Sequence, residues 1–144
     1  MARKYTALLA FVVMVSSSAP LVRPAVSRAE HEVYYRYTVL GYVKDAKGGP
    51  RRGVPVELVR DRTGFSYLGE TDETGLYVIT ARIGDESVGE KLSLRAGGRA
   101  TSVTIRFEPA DHLRERGTRV DFLGDRPVET ATAFAATLQK FLGR

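Results

Sequence analysis

The chain has 144 residues, of which 43% are hydrophobic and 27% charged, with a formal charge of +5 and no cysteine. The absence of thiols excludes disulfides, a cysteine-ligated zinc, a thiol nucleophile and a lipidated cysteine anchor. The charge does not indicate nucleic acid as a partner: Arg3, Lys4, Arg23 and Arg28 precede residue 30 with no acidic residue among them, which leaves about +1 for the rest.

Arg3 and Lys4 are followed by an uninterrupted apolar run, Ala7 to Val15, and then by small residues ending at Ser27-Arg28-Ala29. That order predicts a secretory signal peptide over 1–29, cleaved after Ala29. The apolar run is too short to cross a bilayer core of ~30 Å as a helix. A periplasmic or secreted bacterial protein with no stable membrane span after cleavage is therefore expected. The remaining chain of about 115 residues is long enough for one apolar core and not for two.

Val33 to Lys44 is rich in Tyr, Thr and Val and predicts a long strand. Apolar groups fall on both of its faces, so its inward set is ambiguous. Asp45-Ala-Lys-Gly-Gly-Pro50 predicts a turn. Val54, Val56 and Leu58 alternate with Pro55, Glu57 and Val59 in a second strand, and Pro55, lacking an amide donor, suggests an edge position. Phe65 to Thr71 predicts a short third strand, Asp72 to Gly75 a turn, and Leu76 to Ala81 a fourth strand. Lys91–Ala96 and Arg99–Phe107 flank Gly97-Gly98, a two-residue hairpin signal. Thr118 to Leu123 is a candidate final strand. Asp125 as N-cap and Pro127 in a first turn predict an amphipathic helix over 126–142, with Val128, Phe134, Leu138 and Phe141 at helical spacing. Such a helix either packs on the sheets or docks a partner.

Short strands at this spacing predict an all-β, seven-stranded antiparallel Greek-key β-sandwich with a C-terminal amphipathic helix. Gly41, Val43, Asp45, Gly49, Pro50, Gly53, Val54, Val56, Leu58, Thr71, Asp72, Gly75 and Tyr77 form a pattern that resembles the carboxypeptidase regulatory-like domain. The resemblance implies a transthyretin-like sandwich over 33–108, with 109–144 as an extension carrying the last strand and the helix. It further implies a small module of exported proteins that serves folding, stability or contact. The matching residues are turn glycines, strand aliphatics and turn aspartates, which are scaffold positions.

Groups for catalysis are sparse. His31 lies at the expected new terminus and His112 in a loop after Pro109. Intradiol dioxygenases on related sandwiches need two Tyr and two His on iron, and hydroxyisourate hydrolases need several His. Asp72-Glu73 and Asp85-Glu86 are expected as solvated turn charges, since neither shows an alternating calcium loop. Arg114 to Arg116 with Arg119 is expected as a solvent-facing patch. Tyr34, Tyr35 and Tyr37 are the candidate platform for a glycan or partner, although aromatic residues on a strand more often pack in the core or across strands. The expected function is an exported, non-catalytic binding or structural module of the cell envelope that contacts an envelope protein, with no cofactor, no metal and no catalytic residue. A carbohydrate-binding module is the alternative, and a small hydrolase resting on His112 a weaker one.

Overall fold

A computed structural model of the chain describes residues 34–144. The expected signal peptide, its cleavage point at Ala29 and His31 lie outside the described residues. Eight strands are present: β1 (Tyr35–Lys44), β2 (Pro55–Arg60), β3 (Ser66–Glu70), β4 (Leu76–Ile83), β5 (Lys91–Ala96), β6 (Arg99–Thr104), β7 (Arg116–Leu123) and β8 (Arg126–Glu129). They form two four-stranded sheets, β4-β1-β7-β8 and β3-β2-β5-β6. One short helix follows, α1 (Phe134–Phe141). Among the described residues, no helix is long and apolar enough to cross a membrane.

The period-2 pattern explains the core. Tyr37, Val39 and Val43 of β1, Tyr77 and Ile79 of β4, and Val120 and Phe122 of β7 point inward from the first sheet. They meet Val56, Leu58, Leu92, Leu94 and Val103 from the second. Burial of these side chains is the main stabilising term of the fold, at about 25 cal/mol per Å² of apolar surface.

The strands number eight rather than seven, and the set is not wholly antiparallel, because β7 runs parallel to β1 with Tyr37 opposite Arg116 and Lys44 opposite Leu123. With β7 lodged between β1 and β8, residues after 108 complete the first sheet. The expected helix over 126–142 is also displaced. Gly124, at φ +60°, and Asp125 make a two-residue hairpin turn, so Arg126–Glu129 pairs back on β7 as β8. Asp125 and Pro127 mimic a helix start, but the left-handed glycine just before them closes a hairpin.

Both faces of β1 are apolar because both are covered. Leu40 faces away from the main core and is enclosed by Phe134 and Leu138 of α1, with Val78 alongside. The helix is tied down by polar contacts as well. Arg119 chelates Asp121 through Nε and Nη2, at 3.1 and 2.9 Å, and donates Nη1 to Thr137 Oγ1 at 3.0 Å. Asp121 Oδ1 also accepts the Tyr42 amide at 2.9 Å, where the β1–β7 ladder is interrupted. Gly41 stands at that interruption, where a Cβ would lie 1.8 Å from the Val120 carbonyl oxygen.

β2 is an inner strand, so the edge position expected from Pro55 is corrected: Pro55 opens the strand instead, where the missing amide is tolerated. The motif aspartates act as turn formers. Asp45 Oδ1 accepts the amides of Lys47 and Gly49, and Asp72 Oδ1 accepts the Thr74 and Leu76 amides and the Thr74 hydroxyl. The Thr74 hydroxyl bond comes first among the causes that hold the Asp72 carboxyl below its usual range.

Candidate functional site

The motif turns lie at one end of the sheets. The chemistry-bearing side chains collect at the other, where β1 and β7 begin and β4 and β2 end. Arg116 organises this end. It was expected to be solvent-facing, yet its side chain is only 5% exposed. Its guanidinium lies 4.0 Å from the Phe107 ring centroid and 4.7 Å from that of Tyr35. Contacts of this kind favour arginine, whose planar and weakly hydrated cation can be buried against ring faces. Nη1 donates to Asp85 Oδ1 at 2.7 Å, and Nη2 to the carbonyls of Pro109 and Asp111 at 3.3 and 3.2 Å.

Asp85 is thus no free turn charge. Arg116, and then His112, hold its carboxyl below the usual range. Its second oxygen lies 2.8 Å from His112 Nε2. The imidazole stacks on Tyr35 with ring centroids 4.4 Å apart, and Nδ1 is 3.4 Å from the Tyr35 hydroxyl. A carboxylate on one ring nitrogen orients an imidazole and fixes its tautomer. Here both nitrogens face protein groups, so the cluster ties the Asp85–Ser87 3-10 turn, the start of β1 and the loop before β7 to one another.

Of the tyrosine platform, Tyr37 does not take part. It is buried in the core against Phe107, and burial pushes its hydroxyl pKa up to about 12. It shares the inward parity of Val39, so its ring belongs to the core. Tyr34 is 46% exposed and, with Tyr35, Arg36 and His112, lines a cleft of about 310 Å³. Tyr34 also borders a larger groove of about 510 Å³ with Arg60, Thr63, Gly64, Phe65, Tyr67 and Arg82. That groove follows the seam where β3 and β4 approach. Phe65 is 60% exposed and meets Tyr67 edge-on at 5.0 Å. The Tyr67 hydroxyl accepts the Arg82 amide at 3.3 Å and donates to the Arg82 carbonyl at 3.5 Å.

The expected docking helix does not hold as a unit. Phe134 and Leu138 are buried against Leu40, Val128 lies in β8, and Phe141 remains half exposed. Nothing in the sequence marks Phe65, Tyr67 and Arg82 together as a site, because Phe65 lies just before β3, Tyr67 on β3 and Arg82 on β4 of the other sheet. The available signal was the alternation of Phe65 and Tyr67 with polar neighbours that promised little burial.

Arg60, which lines the groove, forms a bidentate pair with Glu90 at 2.7 and 2.8 Å, with both side chains largely buried. Arg60 holds the Glu90 carboxyl below its ordinary 4.5. As pH falls, the unfolded chain therefore protonates Glu90 before the folded one does. Stability fully present above about 4.5 is lost as pH drops through the folded-state value. Glu90→Gln is expected to cost about 2 kcal/mol near neutrality, within the range for a hydrogen bond to a charged group, and to flatten the acid limb of a Tm-versus-pH curve. An unchanged acid limb would assign that loss to other carboxylates.

No family model matches the sequence, and no curated protein matches it. Solved structures show similarity. The dioxygenase domain of a dioxygenase carbohydrate-binding protein fusion from the cellulolytic bacterium Streptomyces sp. SirexAA-E is 19% identical over 70% of this chain and 79% of its own, with a TM-score of 0.42. A 3-chlorocatechol 1,2-dioxygenase from Rhodococcus opacus is 13% identical over 69% and 58%, with a TM-score of 0.39. A single-site variant of catechol 1,2-dioxygenase from Acinetobacter radioresistens is 16% identical over 70% and 51%, with a TM-score of 0.37. The chain thus spans a little over half the length of the last two. These similar structures are enzymes, which overturns the expectation that the chain is not one. With TM-scores below 0.5, no reaction is carried over from them. The iron set of intradiol dioxygenases, two Tyr and two His, does not fit here: His112 is the single histidine among the described residues. Those residues also contain no group of three or more His, Cys, Asp or Glu able to hold a metal ion.

Proposed function

We propose that the chain is an exported binding module of the cell envelope, built on a transthyretin-like, carboxypeptidase regulatory-like Greek-key scaffold. The motif residues act as turn and strand scaffold, in keeping with that family. The contact surface is at the opposite end from the motif turns. The observation that carries this reading is the groove at the β3–β4 seam, where Tyr34 and Phe65 stand open beside Tyr67 and Arg82. Aromatic rings with a wet edge supply large contact area at low entropic cost, which suits them to recognition of a glycan or a protein surface. The cis-packed helix leaves less apolar surface for contact, since its two inward residues already serve Leu40.

The test is capture of envelope components by the full chain, by a Tyr34→Ala/Phe65→Ala variant and by Phe141→Ala. Loss of the captured component in the double variant, with capture retained by Phe141→Ala, is the expected result. Loss only in Phe141→Ala would move the contact to the C-terminal helix and overturn the groove as the site.

A further inference from the structure

The groove has a charge character as well as aromatic walls. None of its lining residues is acidic. Arg60 is neutralised by Glu90, but Arg82 is exposed and forms no ion pair among the described residues. Across β1 its register partner is Arg36, whose charge is already matched by Glu115 at 3.0 Å. Exposed Arg62 lies on the loop just before the groove residues Thr63 and Gly64. A ligand here meets two or three ring faces and at least one uncompensated guanidinium.

The seam is a poor place for a peptide to add as a strand. Strand addition needs a free row of backbone donors and acceptors. Here the two sheet edges face each other: a Cβ on Gly69 of β3 would lie 2.9 Å from Ile79 of β4, and the Tyr67 hydroxyl occupies both the amide and the carbonyl of Arg82. What remains is ring faces and cationic forks. Ring faces stack on the C–H faces of sugars, and a guanidinium takes a carboxylate in a bidentate pair.

Building on the groove as the contact site, we infer that it binds an anionic glycan, a chain of sugars that carry carboxylates such as uronic acids. Phe65, Tyr67 and Tyr34 receive the sugar rings, and Arg82 receives a carboxylate, with Arg62 as a second cation.

The test is isothermal titration calorimetry of the full chain with tetragalacturonic acid, with cellotetraose as the neutral comparison and a tetraglutamate peptide as the acidic one. Binding of tetragalacturonic acid alone is expected, weakening with added salt. Arg82→Gln should weaken it at least tenfold, and Phe65→Ala should abolish it. Both side chains are exposed, and an unchanged melting curve will establish that each variant folds. Equal binding of cellotetraose would overturn the requirement for charge. Binding of tetraglutamate in preference to the glycan would overturn the sugar. Glycan binding unaffected by either variant would overturn the site. Absence of glycan binding, with envelope capture still lost in the Tyr34→Ala/Phe65→Ala variant, would overturn this inference while leaving the groove as a contact surface. Loss of both would overturn the two together.

Discussion

Gly41→Ala is expected to destabilise the protein by about 3 kcal/mol or more, a large part of the roughly 5–15 kcal/mol by which domains of this kind are stable. The added methyl would lie 1.8 Å from the Val120 carbonyl oxygen and 3.0 Å from Asp121 Oδ1. The carbonyl is main chain in the neighbouring inner strand, so no flexible side chain can move aside. It also accepts the buried Tyr77 hydroxyl at 2.6 Å, a contact that burial accompanies by raising the Tyr77 pKa. To admit the methyl, β1 and β7 must separate, which loosens the Tyr77 bond and the Tyr42–Asp121 bond beside it. Urea unfolding of the variant should show a lower midpoint with an unchanged slope. A loss under 0.5 kcal/mol would show that the two strands part freely at this point.

Phe134→Ala is expected to cost about 3 kcal/mol, the low end for a buried phenylalanine. Phe134 packs over Leu40 and stands so close to Gly117 of β7 that a Cβ there would lie 2.6 Å from its ring. Its removal uncovers Leu40, which is fully buried although it faces away from the main core. The Arg119–Thr137 bond alone would then hold the helix to β7 by side-chain polar contact. The variant should melt earlier and become cleavable by protease after Glu129 while the sheets stay intact. Unchanged proteolysis together with a loss below 1 kcal/mol would mean that α1 contributes little to the first sheet.

The turns and the alternating strands were legible in the sequence because each rests on local chemistry. Asp45 and Asp72 bond amides two to four residues away, and Gly97-Gly98 closes its hairpin with both residues at positive φ. The ambiguity of β1 was equally real: its two apolar faces meet two different partners, and the second is a helix more than 90 residues further on. At Gly124 two local signals compete, and the turn prevails over the helix start because it lets four residues pair with β7. The end with Arg116 was illegible for a different reason. Asp85, His112 and Tyr35 meet there only through strand topology, and no spacing along the chain announces it. Tyr37 follows the packing expected of a strand aromatic, whereas Tyr34 stays exposed, and an alternating aromatic strand does not say which ring faces the core.

The parallel pairing of β1 with β7 has a kinetic consequence. Its partners are 79 positions apart in the chain, so closing that loop costs roughly 4 kcal/mol of chain entropy beyond a length-independent constant before any contact is gained. Non-local pairing of this kind slows folding to milliseconds or longer. Until residues 116–123 arrive, β1 has β4 on one side and an open edge of Tyr, Val and Leu on the other. Such an edge is a template for a second copy of itself. The yield of folded protein is then set by a race between the arrival of β7 and the collision of two unfinished chains, and substitutions that delay β7 lower recovery even where they leave the finished fold as stable as before.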